Sequence, residues 1–189
     1  MIDFSVRGVR INLMFGFFAV VAIASIGRSE CVMIALLCCC AHETGHLLAM
    51  LCFRQKPNAI VAYGGGIRIK APLLRVSAWR EAVIYLCGPI VNLLLYIVSC
   101  VIGSSQGTFA LANLSLCFFN LLPAKNLDGG KIAKALAENS RLCYNVFAIA
   151  RISVLAVLAA IAFMLLMKGC LSITLLVAVV YMLVNECIG

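Results

Sequence analysis

The chain has 189 residues, of which 65% are hydrophobic, and its mean hydropathy is +1.12. Soluble domains contain about 45–50% apolar residues, so this composition excludes an ordinary soluble domain and predicts a protein with several membrane spans. The formal net charge of +8 could indicate a nucleic-acid-binding protein, but the basic residues lie in loops between apolar runs. Membrane topology accounts for the charge better, and we expect no nucleic-acid partner.

Too little sequence lies outside the apolar runs to form a second globular domain. We therefore predict a single membrane-embedded domain over residues 1–189. Its fold class is all-α and polytopic, with six transmembrane helices and a short membrane-associated β-hairpin after the second. The apolar runs that predict the six helices are 11–27, 31–53, 82–103, 108–122, 152–167 and 171–188.

The first apolar run is close to the shortest length that crosses a bilayer. Its end, Ala-Ile-Ala-Ser at 22–25, also resembles a signal-peptidase site. We favour a retained helix, because the second run follows after only three residues.

The second run carries the sequence His-Glu-Thr-Gly-His from His42 to His46, which contains both histidines of the chain. On a helix, this spacing puts the two imidazoles on one face, one turn apart, where they can bind one Zn²⁺ with Glu43 beside it. The alternative is a chance match on a buried helix. Ionisable groups inside a membrane span are costly and are functional candidates, which favours the metal site.

The eleven cysteines are an odd number and lie mostly within apolar runs. A free thiol there behaves as a small hydrophobic group, so we predict no disulfide framework. Cys39 lies three residues before His42 on the same helical face and could be a soft zinc ligand. A further protein ligand would, however, close the position that catalysis needs open.

Two short β-prone runs between the second and third apolar runs flank three glycines at 64–66, and Pro72 follows them. This pattern predicts a hairpin at the membrane boundary. An open strand edge is costly in lipid, so the edge is either covered or used to bind an extended substrate by strand addition. We expect Gly65, Gly66 and Ile67 to contact substrate. A plain surface hairpin is the alternative.

The third run is interrupted by Gly88-Pro89, with Asn92 one turn later. Proline disturbs helical hydrogen bonding, and glycine allows another helix to approach closely. The pair is therefore either a packing kink against the histidine-bearing helix, which we favour, or a direct part of the catalytic site.

The fourth run ends at Asn120, and Pro123 stops the helix. The glycine pair after Asp128 lets the backbone turn sharply, so that the carboxylate can point back into the protein as the third zinc ligand. The alternative for Asp128 is a helix-capping role before the basic amphipathic segment 131–141.

Orientation follows from the excess of Lys and Arg in cytoplasmic loops. With the N-terminus in the cytoplasm, only Arg28 and Lys168 of the basic residues face outward. This topology brings the ends of the second and fourth runs to the same cytoplasmic face. We predict an integral membrane protein with a cytoplasmic N-terminus.

A site of two neutral imidazoles and one carboxylate leaves a fourth zinc position for water. The metal would lower the pKa of that water, and Glu43 would take its proton as it attacks a peptide carbonyl and return it to the leaving amine. The side-chain amide of Asn120 could hold the substrate backbone or the developing oxyanion. We expect Pro123, beside it, to contact substrate as well.

Three groups of residues strongly resemble the site-2 protease family of intramembrane zinc metalloproteases, peptidase family M50. They are the sequence from His42 to His46, Gly88-Pro89 with Asn92, and the stretch from Asn120 through Pro123 to Leu-Asp128-Gly-Gly. The resemblance covers the second to fourth runs. It implies a zinc metalloendopeptidase with one zinc on His42, His46 and Asp128, Glu43 as catalytic base, and membrane-tethered or membrane-associated protein substrates.

Within that family the chain leans toward the stage IV sporulation protease branch. That likeness implies cleavage near the cytoplasmic face, a sporulation sigma-factor precursor as substrate, a forespore membrane if the cell sporulates, and regulatory membrane proteins as partners. Thr44 stands where leucine is usual in the motif. We expect neither the PDZ domains of one branch nor the C-terminal CBS domain of many sporulation-type members.

Two other functions compete with proteolysis. A transmembrane zinc transporter or binder would also place His and Asp ligands inside the membrane, but the chain has no detectable repeats and only one ligand set. A catalytically dead relative that merely binds transmembrane helices is disfavoured by the intact His42, Glu43, His46 and Asp128.

Overall fold

The computed structural model describes residues 2–6, 8–26, 30–63, 66–70, 76–125, 127–137 and 141–167. The chain divides into two compact units, residues 1–119 and 120–189. The described elements that begin in the first unit are β1 (Ile2–Val6), β2 (Val9–Leu13), α1 (Phe15–Ile26), α2 (Glu30–Cys52), β3 (Ala59–Tyr63), β4 (Gly66–Lys70), α3 (Ala78–Val101) and α4 (Thr108–Leu121). Those of the second unit are α5 (Asp128–Ala137) and α6 (Arg141–Met167).

The predicted hairpin is confirmed, but it belongs to a larger sheet. β3 and β4 pair antiparallel, with Ile60 opposite Ile69. β2 pairs parallel with β3, and β1 pairs antiparallel with β2, so the four strands lie in the order β1-β2-β3-β4. The description of the fold as all-α with one hairpin is therefore corrected to a mostly helical fold with a four-stranded sheet.

The first predicted span is wrong in its boundaries. Residues Ile11 to Leu13 lie in β2, and α1 has 12 residues. A helix of that length is about 18 Å long, against a hydrocarbon core of ~30 Å. The apolar run was interpreted as one helix because strand and helix residues are equally apolar there, and composition alone does not separate the two.

Among the described residues, two helices are long and apolar enough to cross a membrane, α2 with 23 residues and α3 with 24. They correspond to the second and third predicted spans. The fourth corresponds to α4, a shorter apolar helix of 14 residues. The fifth lies within α6, and the sixth, 171–188, falls outside the described residues.

α2 and α3 pack closely because Gly45 presents no side chain to its neighbour. A Cβ atom added there would lie 2.5 Å from the backbone oxygen of Cys87. One turn further along α2, Ala49 and Met50 form a buried cluster with Ile84 of α3. This contact fixes the two helices at the level of the histidines.

In the second unit, the turn before α5 is tightly packed. The backbone N–H of Leu127 donates to the carbonyl of Ala124 over 2.9 Å, and the N–H of Lys131 donates to Leu127 over 3.1 Å. Cβ atoms on Gly129 and Gly130 would overlap the carbonyls of Leu121 and Ala124. Only glycine fits at these two positions, which explains the glycine pair at the start of α5.

Candidate metal centre

The two histidines of the predicted motif lie one turn apart on α2, and both are buried. Their ring centroids are 4.7 Å apart, and the ring planes are nearly perpendicular, at 84°. The Nε2 atoms of His42 and His46 face each other across 3.0 Å. The spacing of the motif therefore brings both imidazoles to one point, as predicted from the helical repeat.

Each histidine is held by its other ring nitrogen. The Nδ1–H of His42 donates to the side-chain oxygen of Asn92 over 2.6 Å, and the Nδ1–H of His46 donates to the backbone oxygen of Ile84 over 2.8 Å. Both acceptors belong to α3. Metal-binding histidines typically have such a partner, because it fixes the tautomer and the orientation of the ring.

These bonds determine the chemistry of the two facing nitrogens. A carbonyl oxygen only accepts, so both Nδ1 atoms carry hydrogen, and in the neutral imidazoles both Nε2 atoms carry lone pairs. Two lone pairs that face each other across 3.0 Å repel unless a cation lies between or beside them. The donor set formed by His42 and His46 therefore fits a metal ion such as Zn²⁺.

Gly88 of α3 keeps this space open. A Cβ atom at Gly88 would lie 2.8 Å from Nε2 of His42 and would overlap the ring of His46. Pro89, the next residue, is buried within α3. The Gly-Pro pair thus lies directly beside the two histidines, in addition to its role in close helix packing.

Asp128 is the first residue of α5 in the second unit. Its side chain is buried, and one carboxylate oxygen lies 3.1 Å from Nζ of Lys131, one turn later in the same helix. A buried carboxylate that begins a helix also interacts favourably with the positive end of the helix dipole. The Lys131 ammonium group and the start of α5 therefore both attract the Asp128 carboxylate.

His42 and His46 of the first unit, and Asp128 of the second, are buried side chains of the kinds that bind metal ions. Two imidazole nitrogens and a carboxylate oxygen are a ligand set that zinc accepts in catalytic sites, with a fourth position left for water. Cys39 is not part of this group in the described portion of the chain.

The other predicted site residues occupy different parts of the fold. Glu43 follows His42 on α2 and is half-buried. Asn120, in the last turn of α4, and Pro123, just after it, are also half-buried. Gly66 and Ile67 begin β4, and Gly65 lies outside the described residues.

Sequence reasoning missed the polar groups that orient the histidines. Asn92 was singled out only for its place near Gly88-Pro89, and Asn113 of α4 was not considered. Both side chains are fully buried. The available signal was the presence of asparagines in two apolar runs, since polar side chains inside membrane spans are rare and usually have a partner.

The chain resembles known proteins in sequence and in fold. The model of peptidase family M50 matches residues 104–167. A protein of Synechocystis sp. (strain ATCC 27184 / PCC 6803 / Kazusa), named as a candidate zinc metalloprotease, is 28% identical over 108 residues, which are 51% of this chain and 28% of that protein. The chain thus matches less than a third of the length of this relative.

The structure of the site-2 protease from Methanocaldococcus jannaschii is similar to this chain with a TM-score of 0.66. The match covers 96% of this chain and 91% of that one, with 20% sequence identity. At that identity the likeness shows a shared fold. The comparisons thus show a partial match to the model of peptidase family M50 and a fold shared with a site-2 protease.

Proposed function

We propose that this chain is an intramembrane zinc metalloprotease that hydrolyses peptide bonds of membrane-associated proteins. The observation that carries the proposal is the pair of Nε2 atoms of His42 and His46, 3.0 Å apart, on a helix long and apolar enough to cross a membrane. The comparisons support the same class of enzyme.

One zinc ion would be held by His42 and His46 of α2 and by Asp128 of α5. The burial of all three side chains supports this ligand set. Bound zinc supplies a Lewis acid that polarises the scissile carbonyl and makes water a nucleophile near neutral pH. The hydrogen bonds to Asn92 and to the Ile84 carbonyl hold the two imidazoles in the tautomer that this role needs.

Glu43 would act as the general base. It follows His42 directly on α2 and is therefore adjacent in sequence to a proposed zinc ligand. Its side chain is half-buried, which leaves the carboxylate accessible to water. Glu43 takes the proton of the attacking water and later returns it to the amine of the leaving peptide.

The substrate would bind as an extended segment along β4. β3 is covered by β2 on one side and by β4 on the other, whereas β4 is an edge of the sheet in the part of the chain that the structure describes. Ile69 of β4 packs against the cluster of Ala49 and Met50, close to His46 on α2. A substrate strand paired with Gly66 and Ile67 would therefore reach the neighbourhood of the histidines, and its unwound backbone would regain hydrogen bonds.

Asn120 and Pro123 would contact substrate from the end of α4. The amide of Asn120 can donate a hydrogen bond to a substrate carbonyl or to the oxyanion that forms during attack. Its place in the last turn of α4 and its half-buried side chain support this role. Pro123 keeps the following backbone from continuing the helix past this point.

Cleavage would take place near the cytoplasmic face of a bacterial cell membrane. An aromatic cluster supports an interface at the end of α2: the rings of Phe53 and Trp79 are 5.5 Å apart, and the guanidinium carbon of Arg80 lies 5.2 Å from the Trp79 ring. Aromatic residues and Arg concentrate at the membrane–water boundary. His46 precedes Phe53 by seven residues, or about 10 Å along a helix. A cytoplasmic N-terminus follows from the distribution of Lys and Arg.

The finer substrate assignment rests on the resemblance of the sequence to the stage IV sporulation protease branch. On that basis the candidate substrate is a sporulation sigma-factor precursor, processed by regulated intramembrane proteolysis in a forespore membrane. Membrane proteins that regulate access to the site are the corresponding partners.

The test compares purified wild type with Glu43→Gln for bound zinc and for cleavage of a panel of single-span and pro-sigma substrates. We expect both proteins to bind one zinc and only wild type to cleave, because the amide keeps the size of Glu43 but cannot take a proton. Zinc flux across liposomes that contain either protein, without cleavage by wild type, would replace the protease proposal with transport.

A further inference from the structure

A chain of buried hydrogen bonds leads from α4 through α3 to the first histidine. The side-chain amide of Asn113 donates to the backbone oxygen of Phe109 over 2.9 Å. The amide of Asn92 donates to the side-chain oxygen of Asn113 over 2.8 Å, and His42 donates to the oxygen of Asn92 over 2.6 Å. These three bonds, which we call the amide relay, lie entirely within the first unit.

The relay is more than helix packing requires. Asn92 and Asn113 are both 0% exposed, and burying an amide is unfavourable unless its hydrogen bonds are satisfied. Leucine would fill similar space on apolar helices without that cost. Two such amides in succession, ending on a histidine of the metal centre, therefore need a reason beyond filling space.

The relay has a fixed direction. A backbone carbonyl can only accept, so Phe109 requires that the NH₂ group of Asn113 points toward it and that its oxygen points toward Asn92. That oxygen in turn requires the NH₂ group of Asn92, which leaves the Asn92 oxygen for His42. Each amide thus fixes the orientation of the next, and the last one fixes hydrogen on Nδ1 of His42.

We propose that Asn113 is a positioning residue for the metal centre, which acts on His42 through Asn92. This inference rests on the proposed zinc site, and the hydrogen bonds of Asn113 to Asn92 and Phe109 involve no proposed metal ligand. With the Asn92 amide held in this orientation, His42 directs its Nε2 lone pair toward His46. Without the hydrogen bond to Asn113, the Asn92 amide can rotate and present its NH₂ group to Nδ1 of His42. That orientation favours hydrogen on Nε2 of His42 and opposes metal binding.

The expected effect is partial because Asn92 has a second acceptor. Its NH₂ group also donates to the backbone oxygen of Cys38 over 3.2 Å, a longer bond than the one to Asn113. Losing a partner of a metal ligand typically costs about 10–100-fold in metal affinity. Asn113 is one hydrogen bond further from the metal ligand than Asn92, so we expect its loss to weaken zinc affinity by the lower end of that range.

The experiment uses Asn113→Leu, which removes the acceptor at similar volume, and Asn113→Asp, whose neutral carboxyl group keeps an oxygen for Asn92 and an O–H for the Phe109 carbonyl. Ser99→Ala is the matched control, because Ser99 is buried on α3 and donates to the carbonyl four residues earlier, as Asn113 does on α4, but lies outside the relay. If Asn113→Leu does not fold, Asn113→Ala removes the same acceptor without added bulk.

The first measurement is the dissociation constant for Zn²⁺, by competition with a chromophoric chelator. We expect Asn113→Leu to raise it about tenfold, and Asn113→Asp and Ser99→Ala to stay close to wild type. Equal zinc affinity in Asn113→Leu and wild type would overturn the inference while leaving the zinc site intact. Absence of zinc binding in wild type would instead overturn the proposed function.

The second measurement is the nitrogen NMR spectrum of metal-free protein labelled on histidine. The chain has only two histidines, so His46, held by the Ile84 carbonyl, is an internal control for His42. We expect Asn113→Leu to shift the Nδ1–H signal of His42 and to leave the Nδ1–H signal of His46 in place. Equal shifts at both histidines, together with a lower melting temperature, would show that Asn113 acts only in helix packing.

Discussion

Gly88 of α3 lies so close to His46 of α2 that a methyl group on Gly88 would overlap the Nε2 atom of His46. The atoms that this methyl group would meet are the ends of imidazole side chains, so the rings can move while the helices stay packed. We expect Gly88→Ala to fold but to bind zinc at least about tenfold more weakly. Zinc affinity and melting temperature, measured on the same preparation, check this.

Gly45→Ala is the matched control for Gly88→Ala. A Cβ atom there would lie 2.5 Å from the backbone oxygen of Cys87, which cannot move unless α2 and α3 separate. We expect a loss of stability of about 1–3 kcal/mol, typical of overpacking. Zinc binding should fall only in proportion to the fraction of protein that is unfolded. Wild-type zinc affinity in Gly88→Ala would mean that the facing Nε2 atoms are not the ligands.

The proposed third ligand predicts opposite outcomes for two neighbours in α5. Asp128→Asn should weaken zinc binding by more than the roughly 10–100-fold expected for an outer partner, because it removes the anionic ligand itself. Lys131→Met removes only the ammonium group that lies 3.1 Å from the same carboxylate, so its zinc affinity should equal or exceed that of wild type. If Asp128→Asn binds zinc normally, Asp128 is a helix-capping residue instead.

The sequence was sufficient to predict the features that depend on helix periodicity and on local turn and strand preferences. Residues four apart on a helix share a face, so their spacing alone predicts that His42 and His46 lie together, as they do. The glycine-containing hairpin of β3 and β4 also follows from local turn and strand preferences. These patterns need no knowledge of distant contacts.

The remaining features depend on contacts between distant parts of the chain. β2 is a strand because it pairs with β3, about fifty residues later, and its Ile11 to Leu13 segment is as apolar as the helix that follows. Asn113 faces Asn92 only because α4 packs beside α3 in the first unit. Local sequence does not show which helix packs against an asparagine in an apolar run, so its partner is not predictable from that sequence.

Asn120→Ala tests whether the amide at the end of α4 stabilises the oxyanion. Removal of one such donor typically lowers kcat by about 10²–10³-fold. We expect a loss of that size with zinc affinity unchanged, since the amide is proposed to contact substrate rather than metal. Steady-state cleavage of a fluorogenic single-span substrate measures it, with Glu43→Gln as the inactive reference. Unchanged kcat would remove this role.

Proline scanning of β4 tests strand addition. In an antiparallel pair, alternate residues direct their N–H groups toward the partner strand and away from it. Substitutions at the successive positions Ile67 and Arg68 therefore fall into two classes. Proline at the inward position should disrupt pairing with β3, through Ala62 or Val61, and lower stability.

Proline at the outward position should leave stability and zinc content near wild type, yet reduce cleavage, because it removes an N–H that would pair with the substrate backbone. Ile67→Val is the control for side-chain change without loss of the N–H. The measurements are melting temperature, zinc content and cleavage of one substrate whose scissile bond lies in a transmembrane helix. Full cleavage by both proline variants would show that substrate does not pair with β4, and would move the search for the binding strand to another edge of the sheet.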